Sequence, residues 1–153
     1  MSYASELMLT ALKDELDGGR MYWFSGPVPT SADDALDMVN DHTQLVMMTE
    51  SGDGSTGLTF AVPAGTAMLK NAGETWSGLI AFDGAEDSET TLTATFYRFC
   101  AAGDNGRGAA SSARIQGTIG APGSNIPMTS AALTANTVNT QGLSYFAVIE
   151  DSV

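Results

Sequence analysis

Apolar positions recur at helical spacing only at the start of the chain. Met8, Leu12 and Leu16 are four residues apart, Leu9 widens their stripe, and Glu6, Lys13, Asp14 and Asp17 take the other side. That is the pattern of an amphipathic helix with one face to bury. Ser2 or Ser5 can cap its start, and Gly18-Gly19 end it, since glycine enters the left-handed cap without strain. The spacing predicts a helix from Ser2 to Leu16 whose stripe packs on this domain or on a neighbouring subunit.

After Arg20 the period shortens to two. Arg20 to Ser25 is an aromatic strand, closed by Gly26-Pro27-Val28-Pro29, which cannot continue a ladder. The acidic stretch Ser31 to Asp41 has room for one helical turn around Ala35-Leu36 and Met38-Val39. Further strands are expected at Gln44 to Thr49, Leu58 to Val62, Ala67 to Lys70, Thr75 to Phe82, Thr90 to Ala101, Ala113 to Ile119 and Leu143 to Glu150. Turn residues gather at Ser51 to Ser55, Asp83 to Asp87 and Gly103 to Gly106. Between Thr90 and Ala101, alternation sets Thr91, Thr93, Thr95, Tyr97 and Phe99 against Leu92, Ala94, Phe96, Arg98 and Cys100. The expected fold is mostly β: a single sandwich of about seven to nine antiparallel strands over 20–153, with 1–19 as a helix of the same unit.

Composition narrows function more than fold. The 153 residues, 43% hydrophobic and 16% charged, suit one folded domain. Six Lys and Arg against 18 Asp and Glu give a net charge of −12. A nucleic-acid partner would need a basic footprint, and an anionic membrane surface would repel this chain. With no apolar run of about 18 residues, no membrane span is expected. Met1-Ser2-Tyr3 does not open a signal peptide, so synthesis in the cytoplasm is the expectation. One Cys forms no disulfide within the chain, and one Cys with one His leaves little for zinc, so no cofactor is expected.

Candidate chemistry is sparse. His42 is the only histidine, and beside Asp41 it reads as a polar loop residue rather than the base of a triad. The acids cluster at Asp33, Asp34, Asp37 and Asp41 and at Asp83, Glu86, Asp87 and Glu89; neither run has the spacing of a calcium loop, and solvated turns explain both. Gly117 to Gly123 lacks the Gly-Lys-Ser/Thr ending of a phosphate loop and reads as a strand end and turn. Cys100 reads as a small buried hydrophobe. Arg98, between Tyr97 and Phe99, is expected to stack on a ring or to pair with a carboxylate. Tyr22-Trp23-Phe24 places aromatics on both strand faces, so the outward face needs a cover, either a subunit or a ligand. Tyr22, Trp23, Trp76 and Phe96 are therefore interface candidates beside Met8, Leu12, Leu16 and Arg98.

Several short motifs also follow one another in a recognisable order. They are Gly-Pro-x-Pro-x-x-Ala-Asp-Asp (Gly26 to Asp34), Leu-Val-x-Met-Thr (Leu45 to Thr49), Gly-Leu-Thr-Phe-Ala (Gly57 to Ala61), Trp76, Ala-Thr-Phe-Tyr-Arg-Phe (Ala94 to Phe99) and Gln-Gly-Thr-x-Gly (Gln116 to Gly120). This order resembles minor structural proteins of tailed bacteriophages and the jelly-roll decoration, or cement, proteins of phage capsids. The resemblance implies a jelly-roll-like sandwich without enzymatic activity, on the outer capsid surface of the virion. Its implied partner is the major capsid protein, and a homo-oligomer, dimer or trimer, is expected. A head–tail or tail component, and a carbohydrate- or receptor-binding module using Trp23 or Trp76, are the alternatives. A hydrolase ranks last.

Overall fold

The computed structural model describes residues 3–63, 67–83, 90–135 and 139–149. Among these residues one helix, α1 (Tyr3–Leu16), precedes twelve short strands: β1 (Arg20–Ser25), β2 (Thr43–Glu50), β3 (Phe60–Ala61), β4 (Met68–Lys70), β5 (Trp76–Leu79), β6 (Thr91–Thr93), β7 (Phe96–Cys100), β8 (Arg114–Gly120), β9 (Ile126–Pro127), β10 (Ala132–Thr134), β11 (Thr140–Leu143) and β12 (Ala147–Val148). Seven of them form the main sheet, ordered β11-β5-β2-β1-β7-β8-β9, while β12-β4-β3 and β10-β6 form two small sheets. The mostly β character is as expected. The strands are more numerous and shorter than predicted, and the sheet is mixed, because β8 and β9 run parallel.

One face of the main sheet carries Met21, Trp23, Tyr97 and Phe99 into a core shared with Leu9 and Leu16 of α1, Phe60, Met68 and Leu133. Phe60, Trp76, Phe99 and Phe146 pack ring against ring there, with centroids 4.7 to 6.2 Å apart.

Helix α1 ends at its glycines. Gly18 adopts φ +85°, its N–H donates to Leu58 O at 2.8 Å, and Leu58 N–H returns to Gly19 O at 2.8 Å. The buried stripe, however, is Leu9, Leu12 and Leu16, and Met8 is 60% exposed. At 3.6 residues per turn, successive four-residue steps drift about 40° each, so Met8 stands about 80° round the helix from Leu16, at the edge of the stripe. The i, i+3, i+7 set stays better aligned and wins.

Thr90 to Ala101 is not one strand. At Thr95 the chain turns to β1, with its N–H donating to Phe24 O at 2.9 Å and its hydroxyl to Gly26 O at 2.6 Å. The break resets the alternation, so Leu92 and Ala94 join the core of Tyr97 and Phe99 instead of facing with Phe96. Residues 31–41 contain turns and no helix, and the expected C-terminal strand divides into β11 and β12. Glu150 and most of the Asp83 to Asp87 turn lie outside the described residues.

Candidate functional site

The second face of the main sheet concentrates the polar chemistry of the chain. Register places Tyr22 opposite Arg98 and Phe24 opposite Phe96 on β1 and β7. Across β7 and β8 it sets Arg98 against Gln116 and Cys100 against Arg114. Tyr22, Phe24, Phe96 and Cys100 form a second apolar cluster, with Phe24 and Phe96 stacked at 5.2 Å. Its cover is the chain's own loop from Gly26 to His42, which lays Leu36 and Met38 on it. The outward aromatics therefore need no subunit to cover them. The neck of the loop is tight: Gly26 has φ +102°, and a Cβ there would meet Asp41 O at 2.1 Å. His42 closes it by donating from Nε2 to Pro27 O at 2.8 Å, with its ring edge-on to Phe96.

Arginines hold this loop down. Arg98 is fully buried and pairs with no carboxylate among the described residues. Its Nε donates to Gln116 Oε1 at 2.9 Å, Nη1 to Asp34 O and Gly106 O at 2.8 and 2.7 Å, and Nη2 to Ser31 O at 3.1 Å. Gln116 Nε2 in turn donates to Pro29 O at 2.8 Å. Arg114 grips Asp104 with two bonds of 2.6 and 2.8 Å and donates to Ala32 O and Gly108 O. Arg107 pairs with Asp83 and donates to Gln44 Oε1 at 3.0 Å. Burial, then the charge of Arg114, lowers the pKa of Arg98, while the Arg114 hydrogen bonds hold Asp104 below the usual carboxylate range. Burial first, and Asp104 next, push the Cys100 thiol up to about 12. A neutral thiol in an apolar cluster is no nucleophile. The arrangement is a brace: a planar fork of donors matched to carbonyls of two loops.

Each sequence candidate now has a place. Arg98 lies 5.9 Å from the Phe96 ring, so the stacking expectation holds; the expected carboxylate pairing belongs to Arg114 instead. Tyr22 and Phe96 lie under the loop, and Trp23 and Trp76 are 0% and 1% exposed in the main core, so neither tryptophan offers a sugar-stacking surface. Asp37 accepts from the Val39 and Asn40 amides and Asp34 from the Ser31 amide, each inside its own turn. Among the described residues, no three His, Cys, Asp or Glu gather as a metal would require. Sequence reasoning passed over Arg114, Gln116, Arg107 and Asp104. The alternation that put Arg98 on the Phe96 face would have placed Gln116 and Arg114 there too, had the β7–β8 register been known.

Outside the buried stripe of α1, Tyr3, Ala4, Leu7, Met8 and Ala11 form an exposed apolar arc. Among the described residues, no helix is long and apolar enough to cross a membrane. No family model matches the chain, and neither does any curated protein or solved structure.

Proposed function

We propose that the protein is a virion structural subunit: a capsid decoration protein of jelly-roll-like sandwich form that binds the major capsid protein on the outer shell. The observation that carries this reading is the exposed arc of α1, where Tyr3, Leu7 and Met8 are 76%, 53% and 60% exposed. Apolar side chains kept side by side in solvent favour a protein contact. The polar groups of the second face support the same reading, because they bind the chain's own loops. A net charge of −12 suits a position away from packaged DNA. Symmetric assembly, as a dimer or trimer on the shell, would repeat a small contact many times.

The test is cosedimentation of the purified protein with undecorated capsids, beside a Leu7→Glu, Met8→Glu double variant. Binding at a stoichiometry near that of the capsid protein, lost in the variant, is the expected result. Failure to bind at every salt concentration would remove the cement role. A copy number of about six or twelve per virion would move the protein to a ring at the head–tail junction or tail.

A further inference from the structure

The main sheet ends on β9 at one side and on β11 at the other, and the two edges are built differently. β9 is two residues long and includes Pro127, which has no N–H to offer a further strand. β11 is four residues long and reads Thr140-Gln141-Gly142-Leu143, without a proline or a charge. Its register against β5 runs unshifted from Thr140 opposite Leu79 to Leu143 opposite Trp76, so it has no bulge either. Charges, prolines and bulges are the usual guards of an open edge, and β11 carries none of them.

The phase of the ladder decides which backbone groups this edge presents. Ile80 N–H donates to Asn139 O at 2.9 Å, so Asn139, Gln141 and Leu143 turn their amides and carbonyls to β5. Thr140 and Gly142 turn theirs away from it. Both residues are exposed, and the Gln141 side chain donates from Nε2 to Gly142 O at 3.0 Å. Leu79, paired with Thr140, adds an apolar side chain that is 43% exposed.

Charge selects the occupant. None of the 18 acids and six Lys or Arg falls between Ile115 and Ile149, and neither does the histidine. Two copies of a chain of net charge −12 can therefore meet along β11 without setting acid against acid. A basic partner would find nothing here to attract it and is better served by the acidic loops.

We infer that two copies of the chain pair antiparallel along β11, about a two-fold axis at Gln141, joining their main sheets into one. Thr140 of each copy then lies opposite Gly142 of the other, and each such pair exchanges two N–H···O bonds. The Gln141 side chain yields Gly142 O to the Thr140 N–H of the other copy. The contact uses one edge twice, as a closed two-fold interface does. It gives the symmetric assembly proposed above a surface, and rests on that part of the reading alone.

The experiment is sedimentation equilibrium of the full chain between about 20 μM and 1 mM, with a Kd on the order of 100 μM expected for a contact of one short strand. Amide hydrogen exchange at Thr140 and Gly142 should slow as concentration rises. Two variants test the edge. Thr140→Pro removes an outward donor that β5 does not use. Gly142→Asp sets two carboxylates about 7–8 Å apart across the axis, and it fits the single chain, since a Cβ there meets only Trp76 O at 3.7 Å. Each should raise the Kd at least about tenfold, with the urea midpoint of Gly142→Asp near wild type. A mass of one chain at every concentration, or a dimer that Gly142→Asp leaves intact, would overturn the inference. A dimer lost instead in the Leu7→Glu, Met8→Glu variant would overturn it in favour of the α1 arc. Gly142→Asp is expected to cosediment with bare capsids as wild type does, so edge pairing and capsid binding fail separately.

Discussion

Arg98 and Gln116 face each other across β7 and β8, joined from Nε to Oε1 at 2.9 Å, and together they hold four carbonyls of two loops. Removing the guanidinium leaves the Ser31, Asp34 and Gly106 carbonyls without that donor. Arg98→Met is expected to lose about 3 kcal/mol of unfolding free energy. Arg98→Lys should lose roughly half as much, since an ammonium has no planar fork, and Gln116→Leu about 1 kcal/mol. Urea unfolding measures all three. A wild-type midpoint for Arg98→Lys would show that charge alone suffices.

Asp104 makes the brace sensitive to acid. Its pKa is lowered, chiefly by the Arg114 hydrogen bonds. A carboxyl depressed in the folded state contributes stability above its unfolded pKa, about 3.9, and that contribution is lost as pH falls through the lower folded value. Unfolding free energy should therefore drop more steeply between about pH 5 and pH 3 in the wild type than in Asp104→Asn. Asp53, held at about 2 by the Thr56 hydroxyl and then the Ser55 and Thr56 amides, acts over the same range. The difference between the two profiles, not the whole slope, is the readout, and parallel profiles would refute the assignment.

Cys100 should be silent in the folded protein. With its thiol raised to about 12 and its side chain buried in the apolar cluster against Gly106, reaction with a thiol reagent at pH 8 is expected to be at least about 100-fold slower than in urea. Fast native labelling would mean that the backbone around Gly106, which stands against the Cys100 sulfur, opens readily.

Local signals in the chain located the helix, β1, β2 and the turns at Gly52 and Gly103, because glycine placement, aromatic runs and period-two alternation are properties of neighbours. What lay beyond reach depends on partners far apart in sequence. The Thr95 break is set by the carbonyls of Phe24 and Gly26, some seventy residues earlier. Leu9 rather than Met8 enters the core because of how α1 rotates onto β4. Trp23 and Trp76 looked like surface platforms only while their burial was unknown. The arginine brace was half visible: Arg98 stood out, but Gln116 and Arg114 needed the β7–β8 register.

Gly117 is a packing glycine, not a turn glycine. A methyl group there would overlap the Tyr97 ring. Gly117→Ala is expected to cost about 1–3 kcal/mol, the range for overfilling a packed site, and Tyr97→Phe, which keeps the ring and removes a hydroxyl that is not among the buried unpaired polar atoms, to change stability by no more than about 0.5 kcal/mol. Thermal or urea melts of the two variants decide this. An indifferent Gly117→Ala would show that the ring swings clear.

Helix α1 presents two apolar faces, and they should respond oppositely to substitution. Leu9 and Leu16 lie in the main core at 3% and 0% exposure, so Leu9→Ala or Leu16→Ala should each cost about 2–5 kcal/mol. Leu7 and Met8 face solvent, so changing both to Glu should alter stability by no more than about 0.5 kcal/mol each. Glu is a good helix former, and substitution on the exposed arc leaves the core untouched. If the arc serves as a contact surface, the same double variant should lose capsid binding while its melting profile stays near wild type. Loss of stability in that variant would instead mean that Leu7 and Met8 support the fold, and would take from the decoration reading the surface on which it depends.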